Sequence, residues 1–172
     1  MKMIAAVFIV GVIAIVVSLS WYLNKDQYIP SETVPIVLGD RDPRTLTDEE
    51  WKEILPPEAY KILHEEGTEI PYTSPLLNEK RKGTYVTADC GHPVFRSEDK
   101  YDSGTGWPSF TKPISEDAVV YHEDTSLGVP RTEVVDSFCE SHLGHVFPDG
   151  PEPTGKRYCM NGVALRFIPD EE

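Results

Sequence analysis

From Thr84 onward the chain is written in short segments. TYVTA, DAVVYHED, RTEVVDSF and VALRFI are rich in β-branched and aromatic residues and are separated by Gly, Pro and Asp. Short apolar runs bounded by turn residues read as strands joined by tight connections, so the body of the chain is expected to be mostly antiparallel β. Helical signals precede it, in LTDEEWKEILPPEAYKILHEEGTEIPYTSPLL. Thr47 with Glu50 three residues later makes a capping box. Trp51, Ile54 and Leu55 then share one face. Pro56-Pro57 ends that helix and opens a second, whose face is Ala59, Ile62 and Leu63. Gly67 is expected at its C′ position.

The N-terminal end differs in character. Between Lys2 and Lys25 no residue is charged, and Ile4 to Leu23 is a run of twenty residues. A helix of ~20 apolar residues spans a bilayer core. Trp21 and Tyr22 stand at its far end, where an aromatic belt sits. One reading is an uncleaved anchor. The other is a cleaved signal peptide, with Ser18 and Ser20 as the small residues before the cut. The run exceeds the ~7–15 residues of a signal-peptide apolar region, which favours the anchor. A cytoplasmic N-terminus and an exported domain on the outer or periplasmic face are therefore expected; a protein secreted after cleavage is the alternative. Residues 26–46 hold three prolines and no helical period, and read as a linker. The division is thus 1–25 anchor, 26–46 linker and 47–172 one domain. A formal net charge of −13 argues against nucleic acid and against docking on anionic lipid.

Three motifs carry chemistry. In GKRYCMNGVALRF, Cys159 follows Lys156 and Arg157, and a nearby cation raises the thiolate fraction of a thiol. Free Cys is also among the most buried residue types, so Cys159 alone reads first as an inert core thiol. In SHLGHVFPDG, His142 and His145 sit three apart with Asp149 four further on. Two imidazoles near a carboxylate bind a metal or shuttle protons. No HExxH helix is present and the ligand set is too small for a metal, so proton transfer is the better functional reading. In YDSGTGWPSF, Gly104, Gly106 and Pro108 enforce a tight loop. Trp107 at its centre is either a core pin or a wall for an apolar ligand group. The chain has three cysteines, Cys90, Cys139 and Cys159, so at least one thiol is unpaired within the chain or bridged to something else.

Taken in order, GWPSF, HLGHVFPDGP, PTG and RYCMN resemble the methionine sulfoxide reductase B family, over about Thr47 to Phe167. The resemblance implies two antiparallel β-sheets with short helices on the N-terminal side. It implies reduction of the R epimer of methionine sulfoxide, free or in oxidised proteins. It makes Cys159 the nucleophile and Trp107 the cover of the substrate S-methyl group. It places His142, His145, Asp149, Arg157 and Asn161 around the thiol and the sulfoxide oxygen. The chemistry agrees: a sulfoxide sulfur is a poor electrophile until its oxygen is protonated or strongly hydrogen-bonded. The site therefore needs a thiolate, favoured by Arg157, and an acid. His145, held by Asp149 or by water, is the first choice for that acid and His142 the second. The products are methionine and a Cys159 sulfenic acid.

Two departures from the family pattern matter. Many members hold structural zinc with two CxxC pairs. Here the corresponding stretches are TADC and DSFC, with Thr87 and Asp136 in place of the first thiols, so no zinc is expected. The leftover Cys90 and Cys139 match positions whose ligands converge in the family, and a structural disulfide between them is expected. GTGW carries Thr105 where members with a resolving thiol often have Cys. Recycling is left to an external thiol, such as a thioredoxin-like reductant, or to a different Cys. Two other functions are carried beside this one. A non-catalytic binding module on the same fold is opposed by the joint presence of Cys159, Arg157, His145 and Trp107. A thiol–disulfide oxidoreductase is opposed by the lack of any CxxC.

Overall fold

The computed structural model describes Leu38 and residues 41–171. The candidate anchor 1–25 and most of the linker 26–46 lie outside the described residues. Among the described residues no helix is long and apolar enough to cross a membrane.

Two short helices come first, α1 (Asp48–Ile54) and α2 (Pro57–His64). The capping box forms: the Thr47 amide donates to Glu50 at 2.9 Å, and the Glu50 amide donates to the Thr47 hydroxyl at 3.3 Å. Trp51 and Leu55 are buried from the first helix, and Tyr60, Ile62 and Leu63 from the second. Ile54 and Ala59 are partly buried and pack against the same core, so both expected faces form and Tyr60 adds to the second. Gly67 is not the left-handed residue. Glu66 takes that conformation, with φ 53°. Gly67 is required for another reason: its amide donates to the Lys61 carbonyl at 3.0 Å, and a Cβ there would lie 2.7 Å from that same oxygen.

Nine strands follow among the described residues: β1 (Gly83–Thr87), β2 (Pro93–Arg96), β3 (Lys100–Tyr101), β4 (Ser109–Phe110), β5 (Val119–Asp124), β6 (Arg131–Asp136), β7 (His142–Phe147), β8 (Arg157–Met160) and β9 (Leu165–Pro169). They form two antiparallel sheets, one ordered β2-β1-β9 and one ordered β3-β4-β8-β7-β6-β5. The core is aromatic. Phe95 stacks on Phe110 at 4.4 Å between ring centres, and Tyr85 meets Phe110 at 4.9 Å and Phe167 at 5.0 Å. Each such fully buried side chain contributes roughly 1.5–3 kcal/mol of transfer free energy. Alternation along β8 decides what is left for chemistry. Tyr158 and Met160 are buried in the core, while Arg157 and Cys159 are half-buried on the opposite face.

At one corner, the turn after β1 meets the turn after β6. Cys90 and Cys139 are joined there by a disulfide, with Cα atoms 6.4 Å apart and 49 residues between them in sequence. Beside it the Thr87 hydroxyl donates to the Asp136 carboxylate, which also accepts the amides of Phe138 at 2.7 Å and Cys139 at 3.0 Å. Asp89 is buried and accepts the Cys90 amide at 2.7 Å and the Ser141 hydroxyl. Ligand atoms of Asp89, Cys90 and Cys139 lie within 4.8 Å of one another. With the two sulfurs bonded to each other, neither is a free thiolate.

Candidate active site

Sheet register assembles the site. Across the six-stranded sheet, Ser109 pairs with Cys159, Cys159 with His145, His145 with Glu133, and Glu133 with His122. Residues directly opposite one another in antiparallel strands share a face, with Cβ atoms about 4.5–5.5 Å apart. His145 is therefore the immediate neighbour of Cys159, one strand away. His142, three residues earlier, would point to the other face of a regular strand. A bulge prevents this. The register shifts so that Gly144 pairs with Val134 and His142 with Val135, on the same face as Glu133. The bulge presses Gly144 so close to β8 that a Cβ there would lie 2.2 Å from the Cys159 carbonyl oxygen. The two imidazoles meet edge to face, 5.4 Å apart.

Both imidazoles are held by carboxylates that the motifs did not reveal. Nδ1 of His142 donates to Glu133 at 2.6 Å, and its Nε2 is buried with no partner among the described residues. Nε2 of His145 donates to Asp124 at 2.7 Å. Asp124 ends β5 and also accepts from Arg131, which begins β6 across the hairpin. Ser126, through its hydroxyl and its amide, keeps the Asp124 carboxyl well below the usual range, and His145 and Arg131 act the same way. Burial pushes the His145 imidazolium pKa down, against the pull of Asp124. The lowered pKa favours the neutral ring, whose Nε2–H faces Asp124.

Asp149 does not hold His145. It binds Arg157 through two contacts, Nε at 2.9 Å and Nη2 at 3.0 Å. This pairing lowers the Asp149 pKa and raises that of Arg157. The Arg157 guanidinium also lies 4.4 Å from the centre of the Phe147 ring. Arg157 is therefore a neutralised cation, and its pull on a Cys159 thiolate is partly offset by the carboxylate it carries.

Cys159 is the free cysteine, half-buried. Its sulfur lies 3.8 Å from the Thr105 hydroxyl. Thr105 continues a chain of hydroxyls through Ser103 at 2.8 Å to Ser109 at 2.7 Å, which returns to the register partner of Cys159. Trp107 is half-buried, and its indole N–H donates to the Glu69 carbonyl at 3.2 Å. Its loop is braced by Tyr72, whose amide and hydroxyl each donate at 2.8 Å, to the carbonyls of Gly106 and Gly104. Asn161 is buried, and its amide is spent on main chain. Its oxygen accepts from Glu69 N–H at 3.0 Å, and its nitrogen donates to the carbonyls of Leu143 at 3.2 Å and Gly67 at 3.4 Å. It shapes the site's frame.

The arrangement offers one half-buried free thiol, an imidazole paired with it in register and an aromatic ring fixed by its N–H. Of the two carboxylates, Glu133 carries a sequence signal, a charged residue in the middle of the β-patterned RTEVVD. The model of the SelR domain matches residues 55–169. The peptide methionine sulfoxide reductase MsrB of Methanosarcina barkeri is 55% identical over 126 residues, covering 73% of this chain and 89% of that protein. The protein of the same description from Leifsonia xyli subsp. xyli is 54% identical over 127 residues, covering 73% and 91%. That from Acinetobacter baylyi is 51% identical over 126 residues, covering 73% and 91%.

Proposed function

Because this chain belongs to the methionine sulfoxide reductase B family and is a peptide-methionine (R)-S-oxide reductase, we propose that Cys159 is its nucleophile and His145 its proton carrier. The observation that carries this is the register pair of Cys159 and His145, with the imidazole held on its far side by Asp124. In the first step the Cys159 thiol gives its proton to Nδ1 of His145. The thiolate then attacks the sulfoxide sulfur. The sulfoxide oxygen takes up the proton returned by His145. It then passes to the Cys159 sulfur as its bond to the substrate sulfur breaks, and the transient bond between the two sulfurs opens to leave the thioether. One thiol and one sulfoxide become one sulfenic acid and one thioether, so the two electrons lost by Cys159 reduce the substrate. Transfers of this kind typically contribute ~10²–10⁴ in rate. Burial of His145 supports the role: an imidazolium held in a desolvated place gives its proton up readily. Trp107, pinned at its N–H, is the wall for the S-methyl group. His142, with Glu133 behind it, is the second group near the oxygen.

Recycling falls to an external thiol, such as a thioredoxin-like protein. Two thiols reduce the sulfenic acid to Cys159, releasing one water and one disulfide. The Cys90–Cys139 bond and the Thr105 hydroxyl beside Cys159 support this reading, since no other thiol of the chain is free. We further propose that the domain works without zinc on oxidised proteins outside the cytoplasm, tethered by the apolar run Ile4–Leu23. Secretion after cleavage is the alternative. The test is reduction of the R but not the S epimer of methionine sulfoxide by the full chain with a small thiol. Loss of activity is expected in Cys159→Ser with the fold intact by circular dichroism. A Ser variant near wild-type activity would remove Cys159 from the mechanism.

A further inference from the structure

We infer that Glu69 is the positioning residue that sets the Trp107 wall, and through it the size of alkyl group the site accepts. The inference rests on Trp107 being that wall. Glu69 is 3% exposed, and every polar group it has is engaged. Its carboxylate accepts the amides of Gly162 at 2.6 Å and Val163 at 2.9 Å, the first residues of the 3-10 turn Gly162–Ala164 that follows Asn161. Its own amide donates to Asn161 at 3.0 Å, and its carbonyl accepts the Trp107 indole at 3.2 Å. These contacts cross 92, 93, 94 and 38 residues of sequence. One residue thus locks the turn after the Cys159 strand to the loop that carries Trp107. The geometry is tight at the turn: a Cβ on Gly162 would lie 1.9 Å from the Ser74 hydroxyl and 3.3 Å from the Glu69 carboxylate. No polar atom of Glu69 is left over to touch substrate, so it acts through the ring and not on the sulfoxide. A buried carboxylate on two amides also resists replacement, because losing either acceptor leaves a buried donor unpaired.

Glu69→Gln keeps the size but turns one acceptor oxygen into an NH₂ group facing an amide N–H. Trp107→Phe keeps a ring but cuts the indole link to Glu69. The test measures kcat/KM for R-methionine sulfoxide and R-ethionine sulfoxide with the full chain, each single variant and the double variant. The rate of Cys159 alkylation by iodoacetamide is measured alongside. A pocket discriminates one methylene by roughly 10–200-fold, so the wild type should prefer methyl by at least about tenfold. Glu69→Gln should lower that preference at least about threefold with the alkylation rate unchanged. Adding it to Trp107→Phe should lower it no further, because coupled residues are not additive. A Glu69→Gln preference equal to wild type, or additive losses, would overturn the inference. Should Glu69→Gln fail to fold, Glu69→Asp takes its place: a preference equal to wild type overturns the inference, and a lowered one that Trp107→Phe does not add to supports it. An active wild type with no preference would overturn the wall reading of Trp107 and this inference with it.

Discussion

Replacing Asp124 by Asn tests how His145 is poised. In the wild type two opposed effects act on this imidazole. Burial and the nearby Arg131 charge push its pKa down; the hydrogen bond to Asp124 pushes it up. Asp124→Asn removes the upward effect and also leaves Arg131 without its neutralising carboxylate. Both changes disfavour the imidazolium, so the His145 pKa falls further below the usual ~6.5. The mechanism passes through that imidazolium. Rates should fall by roughly 10–100-fold, a share of the ~10²–10⁴ that proton transfer contributes. The histidine limb of the kcat/KM profile should move to lower pH. Arg131→Gln gives the opposite sign: with the cation gone and Asp124 retained, the limb should move to higher pH. The assay is the pH dependence of kcat/KM on R-methionine sulfoxide for the three proteins, with folding checked by near-UV circular dichroism. Limbs that coincide, or that move in the same direction in both variants, would refute the assignment of the limb to His145.

Other expectations follow from the same geometry. Cys90→Ala with Cys139→Ala should lower stability by roughly 2–4 kcal/mol, since the bridge closes a long loop; the Tm should fall while the initial rate on R-methionine sulfoxide at low temperature stays near wild type. Thr105→Cys places a thiol where a hydroxyl now stands 3.8 Å from the Cys159 sulfur. After one turnover without reductant it should hold a 105–159 disulfide, read as the loss of both free thiols in a titration. Chelation with EDTA should leave the Tm unchanged, and a fall would show a bound metal.

Much of this fold was legible in local sequence. The capping box at Thr47 and Glu50 depends on residues three apart, and it forms. The short segments after Thr84 pair as antiparallel strands because their composition and their turn residues agree. The parts that escaped are long-range. His142 and His145 share a face because of a bulge, and a bulge depends on how β7 meets β6 and not on the spacing of HLGH. Asp124 reaches His145 across 21 residues, and Glu69 reaches Gly162 across 93. No local pattern marks such partners. Asp149 is expected, with water as the alternative, to hold His145 four residues before it; instead it is drawn to Arg157 across the β7–β8 connection, where two contacts satisfy both of its oxygens.

The central claim is that Cys159 alone carries the oxidising equivalent. It is tested most directly by peptide mass spectrometry of the full chain after a single turnover on R-methionine sulfoxide without reductant, with a sulfenic-acid trap present. One trap adduct per chain is expected, on the peptide containing Cys159, with the Cys90–Cys139 disulfide unchanged. An untouched Cys159 thiol alongside the methionine product, or Cys159 in a disulfide with Cys90 or Cys139, would contradict it.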